Sequence, residues 1–117
     1  MIENKKIEQL LECLNKIPLV TTNNQSYVID EKMPSHPIVY INIGYAGDKQ
    51  AKFDFIERIA SILVKDDTYD GNEAMISMIW NGDKGRDGIN EPYIELRLSL
   101  EGIDTIVEIL YQYQNEI

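Results

Sequence analysis

Apolar residues recur along this chain in two rhythms, one of helical and one of strand period. Over residues 3–16 the spacing of Ile7, Leu10, Leu11 and Leu14 follows i, i+3, i+4, i+7 and predicts an amphipathic helix. Pro18 ends it, because proline has no N–H to donate and its ring clashes with the preceding turn. Leu19 to Thr22 and Gln25 to Asp30 read as short strands, expected to pair as a hairpin around Asn23-Asn24, since asparagine tolerates positive φ. Residues 32–37 read as loop. The β-branched run from Ile38 to Ile43 predicts a strand. A turn over Gly44 to Gly47 leads to Asp48, a good N-cap, and to a helix that runs to about Lys65 with Ala51, Phe55, Ile59, Ile62 and Leu63 on one face. Residues 66–73 have no hydrophobic period and read as loop. Ala74 to Trp80 reads as a strand with Ala74, Ile76, Met78 and Trp80 on one face, followed by a Gly-rich turn. Tyr93 to Ser99 alternates most cleanly, with Ile94, Leu96 and Leu98 inward and Tyr93, Glu95, Arg97 and Ser99 outward. Ser99 then caps a last helix whose stripe is Ile103, Ile106, Val107, Leu110 and Tyr113.

Helices with one apolar stripe need a sheet to cover. The expected fold is therefore α+β in two layers: a mostly antiparallel sheet of three to five strands, with three helices packed mainly on one face. The other face is left to solvent or to a partner. No repeat, low-complexity tract or Pro/Gly/Ser-rich linker interrupts residues 1–117, which read as a single domain.

Composition narrows the function classes. At 117 residues the chain can bury a core without staples, and 44% hydrophobic with 26% charged residues excludes wholesale disorder. Cys13 is the one cysteine, so no internal disulfide forms; with no leader-like apolar run at the start, the expected setting is the cytoplasm. No apolar stretch approaches the ~20 residues that span a bilayer. The net charge of −9 is unevenly placed: residues 1–50 sum to −1, residues 51–65 to +1 and residues 66–117 to −9. Such an excess of acid disfavours direct binding to a phosphate backbone and suits a basic partner.

Most catalytic and metal chemistries lack their parts. Asp66, Thr68, Asp70 and Gly71 match the opening of an EF-hand loop, and Asp83, Gly85, Asp87 and Gly88 echo it. The twelfth position, which needs a bidentate glutamate, is Ser77 in one and Ile94 in the other, and both lie in expected strands. One cysteine and one histidine, His36, cannot assemble a zinc site. A serine triad would need His36 and a G-x-S-x-G elbow that the sequence does not contain. Gly82, Gly85 and Gly88 are flanked by Asp83 and Asp87, which repel a phosphate, and no Walker lysine follows. No pair of carboxylates is marked by an apolar surround that would raise one pKa. We expect a binding protein without a cofactor, not an enzyme.

Strand geometry sharpens the charge argument. If Ala74–Trp80 and Tyr93–Ser99 form an antiparallel hairpin, the 82–91 turn lies at one end and the 66–73 loop at the other, ~20 Å away, beside the start of the last helix. Asp66, Asp67, Asp70, Glu73, Glu101 and Asp104 would then cluster without a Lys or Arg among them, with Tyr69 as an amphipathic contact residue. Glu101 and Asp104 also suit a helix N-terminus, whereas Asp66 and Asp67 follow a helix C-terminus, where negative charge is unfavourable. Such a broken local rule points to function.

In size, acidity and the strand–helix finish Ile94-Glu95-Leu96-Arg97-Leu98-Ser99-Leu100-Glu101-Gly102-Ile103, the chain resembles bacterial immunity proteins that neutralise contact-dependent-inhibition or polymorphic toxins. The resemblance is one of type and carries over no motif residues. It implies an inhibitor that occludes the active site of a cognate toxin domain, often a basic nuclease, its carboxylates pairing with the Lys and Arg that otherwise hold nucleic-acid phosphates. Two alternatives stand beside it. One is a phage-type inhibitor that mimics DNA, which the balanced residues 1–65 disfavour. The other is a small calcium- or ligand-binding domain using the 66–73 or 83–91 loops.

Overall fold

The predicted helical stripes meet a partner surface in the computed structural model, which describes residues 5–23, 26–33, 35–63, 74–80 and 92–116. Two strand positions differ from the expected pattern: Trp80, expected inward with Ala74, is 48% exposed, and Ser99, expected outward, is buried. Helix α1 (Lys5–Asn15) buries Ile7, Leu10, Leu11 and Leu14 together with Cys13. Helix α2 (Lys49–Leu63) buries Phe55, Ile59, Ile62 and Leu63. It is capped as its sequence predicts, Asp48 Oδ1 accepting the Ala51 N–H at 2.8 Å. Ser99 also caps, its Oγ accepting the Gly102 N–H at 3.1 Å, but it closes a 3₁₀ turn, Leu100–Gly102, that precedes α3 (Ile103–Gln112). The buried stripe of α3 takes in Ile109, while Val107 and Tyr113 are only partly covered.

Five strands form one sheet: β1 (Val20–Thr21), β2 (Tyr27–Asp30), β3 (Ile38–Tyr45), β4 (Ala74–Ile79) and β5 (Tyr93–Ser99), in the order β1-β3-β5-β4 with β2 also paired to β3. All the pairings are antiparallel, so β3 and β4 run parallel to each other with β5 between them. Their connection through α2 carries that helix onto the sheet, where it packs against β4.

The expected hairpin around Asn23-Asn24 does not form. β1 and β2 do not pair with each other but lie in tandem along β3: Val20 and Thr21 face Tyr45 and Gly44, and Tyr27 to Asp30 face Ile41 to Ile38. Five residues separate Thr21 from Tyr27 where β3 has only Asn42 and Ile43, so β1 and β2 are offset in register by three residues. Two features make this arrangement preferable to a hairpin. The eight-residue β3 offers a longer ladder than either short segment could offer the other. Asn23 and Ser26 are also tied to each other, Ser26 N–H donating to Asn23 O and Asn23 N–H to Ser26 Oγ at 2.9 and 2.8 Å. Close approach of β1 needs Gly44, where a Cβ would stand 3.1 Å from the Thr21 carbonyl oxygen.

The two layers are as the pattern requires. Val39, Ile41, Ile43, Ile94, Leu96, Leu98 and Ala74 are buried beneath the helices. α3 packs against both α1 and α2. α1 and α3 run in the same direction, since Lys6 near the start of α1 bridges Asp104 in the first turn of α3, and Lys16 just past α1 lies 5.8 Å from the ring of Tyr111 near the end of α3. No helix among the described residues is long and apolar enough to cross a membrane.

Candidate functional site

Of the residues expected to form an anionic end, Asp66, Asp67, Tyr69, Asp70 and Glu73 lie outside the described residues, as do both aspartate-rich loop segments, 66–73 and 83–88. Glu101 sits exposed in the 3₁₀ turn after β5, and Asp104 in the first turn of α3. The register places the entry to β4 where it was expected, Ala74 standing opposite Leu98 just before that turn. One part of the expectation needs correcting. Asp104 is not free of lysine: Lys6 Nζ lies 3.0 Å from its Oδ2. The cause is the parallel packing of α1 on α3, which brings together residues almost a hundred positions apart. Both partners are well exposed, so the pair contributes little to stability and is screened by salt. It does halve the fixed anionic charge of the Glu101–Asp104 turn.

The face of the sheet that no described helix covers, here called the helix-free face, carries the more distinctive arrangement. Opposed residues of neighbouring strands share a face, so the register lines up Val28, Tyr40, Arg97 and Met75 in one row across β2, β3, β5 and β4. Val28 is 64% and Met75 59% exposed, large apolar side chains at the two ends of the row. Between them the Arg97 guanidinium lies 5.4 Å from the centre of the Tyr40 ring, within cation–π range. No ion pair holds Arg97 among the described residues. Asp30 and Ile38 occupy the next row towards the end of the sheet.

Beyond that row Lys32, Met33 and His36 help to close a shallow hollow of about 570 Å³, lined also by Asp30, Ile38, Tyr40, Met75 and Arg97. Three bonds shape its rim. Lys32 N–H donates to Asp30 Oδ1 at 3.0 Å, His36 N–H to Met33 O at 2.8 Å, and Leu100 N–H to Pro37 O at 3.0 Å, tying the loop to the start of the 3₁₀ turn. Lys32 and Arg97 against Asp30 make the lining locally cationic in a strongly acidic chain. Met33, Ile38 and Met75 give it an apolar floor and wall.

No family model, curated protein or solved structure matches this chain. The chemistry available to the site is therefore read from its own residues. Aromatic, arginine and methionine side chains on a half-open surface anchor macromolecular contacts. Among the described residues no group of three or more His, Cys, Asp or Glu is placed to hold a metal ion. A smaller hollow of about 240 Å³ over α1 brings Glu8 and Glu12 near Asn15 and Asn23. His36 lies on the rim of the larger hollow while Cys13 is buried under α1, so they do not meet as a nucleophile pair. Burial pushes the Cys13 thiol above its ordinary value, with Lys16 opposing, which makes it a poor nucleophile.

Val28, Tyr40 and Met75 carry no mark in the sequence. Their strands show only which residues point outward, and Arg97 was legible to that extent. Which outward residues become neighbours depends on register between strands as much as 69 positions apart, Val28 and Arg97 among them.

Proposed function

We propose that this chain is a binding protein of the toxin-neutralising kind, which docks a protein domain of net basic charge on the sheet face that the described helices leave open, with Lys32 and Arg97 meeting apolar or acidic groups of that domain, and occludes its active site. The observation that carries the reading is the exposed row Val28–Tyr40–Arg97–Met75. Tyr, Arg and Met are the residue types that concentrate binding energy at the centre of interfaces, and the flanking polar residues supply a rim. A standard interface takes about 800 Å² from each partner, roughly a tenth of the 7569 Å² accessible surface described. The net charge of −9 supports a cationic partner, because complementary fields raise the encounter rate and select against acidic surfaces. In this reading Asp66, Asp67, Tyr69, Asp70, Glu73, Glu101 and Asp104 steer and flank the partner while the row anchors it. The site of action is the cytoplasm, which a single cysteine suits.

The test is co-expression with the product of the neighbouring gene, followed by affinity measurement on the purified pair. Arg97→Ala and Val28→Ser should each weaken binding about tenfold or more, roughly 1.4 kcal/mol, with the helical circular-dichroism signal and Tm retained. Asp66→Asn with Asp67→Asn should slow association and flatten its salt dependence. A pair that fails to co-purify, or whose affinity ignores the row, removes the proposal.

A further inference from the structure

Tyr40 and Arg97 stand opposite each other in the β3–β5 ladder, so register fixes them as neighbours. The Arg97 guanidinium lies 5.4 Å from the centre of the Tyr40 ring. A cation–π contact engages the charge of a guanidinium but none of the N–H donors of its fork. Both residues line the hollow of about 570 Å³, as does Lys32. Asp30 Oδ1 accepts the Lys32 N–H at 3.0 Å, an Asx turn that directs one oxygen of this carboxylate back onto its own chain. With Lys32 and Arg97 against Asp30, and His36 neutral, the lining carries one positive charge in a chain of net charge −9.

The rest of the lining is apolar and adaptable. Met33 comes from the β2–β3 connection and Met75 from β4, both more than half exposed, while Ile38 and Tyr40 of β3 are half-buried. Methionine is unbranched and polarizable, so it settles against ligands of irregular shape. Sites for small molecules combine such a lining with a few convergent polar groups, in volumes of about 300–1,000 Å³. The hollow has that composition and that size.

We propose that this hollow binds a small monocarboxylate with an apolar body, its carboxylate on Arg97 and Lys32 and its alkyl or aryl part on Met33, Ile38 and Met75. The arginine fork matches a carboxylate in geometry, and lysine adds a point charge beside it. Charge selects the monoanion. One negative charge meets the one positive charge of the lining, whereas the second charge of a phosphate ester faces Asp30 and the acidic field of the whole chain. A neutral analogue forfeits the ion pair, and a bare carboxylate forfeits the methionines. Tyr40, Arg97 and Met75 also belong to the docking row, so a bound carboxylate occupies part of that row. The assignment stands on the hollow and does not require the docking.

NMR titration of the full isotope-labelled chain, without partner and near neutral pH, tests it with phenylbutanoate as the probe. The amide signals of Lys32, Met33, Ile38, Tyr40 and Arg97 should shift, with a Kd of about 1 mM or tighter, the range open to a ligand of that size in a half-open site. Phenylbutanol and acetate should each bind about tenfold more weakly, and phenylbutyl phosphate more weakly than the carboxylate. Arg97→Met should bring the affinity for phenylbutanoate down to that for phenylbutanol and leave the latter unchanged; Arg97 is exposed, so the remaining signals should keep their positions. Met33→Ser, on an exposed position of the connection, should weaken both ligands. No shift up to about 20 mM overturns the proposal. So does equal affinity for the alcohol and the acid, which leaves an apolar depression only, or equal affinity for acetate, which leaves an adventitious ion only. Shifts centred away from the hollow also overturn it. Because the chain is titrated alone, a negative result leaves the docking proposal standing, and a pair that fails to co-purify leaves this one.

Discussion

Asn15, the last residue of α1, clamps the chain that leaves β1. Its Oδ1 accepts the Thr22 N–H at 2.7 Å and the Thr22 hydroxyl at 3.0 Å, and its Nδ2 donates to the Thr22 carbonyl at 3.2 Å. Thr22 is 6% exposed, and its single hydroxyl proton is shared with the Leu11 carbonyl at 3.3 Å. Replacing Asn15 with alanine therefore strips three bonds at once and leaves a buried backbone N–H and C=O without their partner. A net hydrogen bond is worth about 1 kcal/mol and an unsatisfied buried group costs about 1–3 kcal/mol. Asn15 itself is exposed, which lets water take up part of the loss. The expected cost of Asn15→Ala is about 2 kcal/mol, or roughly 8–10 °C in Tm for a domain of this size. Thr22→Val keeps the shape and the backbone bonds but loses the hydroxyl, and should cost about 1 kcal/mol. Urea titration of both single variants and the double variant closes the cycle. Because the hydroxyl–amide bond is lost in each single variant, the double variant should cost about 1 kcal/mol less than the sum. Strict additivity, or a cost for Asn15→Ala below about 0.5 kcal/mol, would mean that the clamp does not hold the chain.

Two further outcomes follow from local features. Leu19 has φ of 71°, the left-handed region that costs a branched residue roughly 1 kcal/mol, and its side chain is 55% exposed, so little burial is lost on truncation. Leu19→Gly should raise stability by about 0.5–1 kcal/mol in denaturant titration, and a fall would show that the side chain is held by contacts worth more than the strain. Burial raises the Cys13 thiol above its ordinary 9.0; above that pH the unfolded thiol ionises while the folded one keeps its proton, so this contribution to stability declines as pH rises. The stability of the native protein relative to Cys13→Ala should fall on passing that pH, and alkylation of the folded protein should be slower than in denaturant; equal rates would place the thiol at the surface.

Helices and strands were legible because each carries its own period. The stripe of α1, the Asp48 cap of α2 and the inward set Ile94, Leu96, Leu98 all stand where the pattern put them. Misreadings came where a choice between partners was needed. The Asn23-Asn24 segment has the composition of a hairpin turn, yet the neighbouring strands pair with β3, because β3 is longer and only the folded chain sets those ladders in competition. Asp104 suits a helix start by its position, but its lysine partner is Lys6, supplied by the packing of α1 along α3.

The order of residues by itself determined the two-layer α+β plan, the inward set of each strand and the acidity of the second half. Those follow from local periodicity and from counting, which need no knowledge of distant neighbours. Tertiary structure alone decided which outward residues stand side by side and which strand each short segment pairs with. Register and strand order are set by the sum of many cross-strand contacts, each worth a fraction of a kcal/mol, and no single residue records that sum.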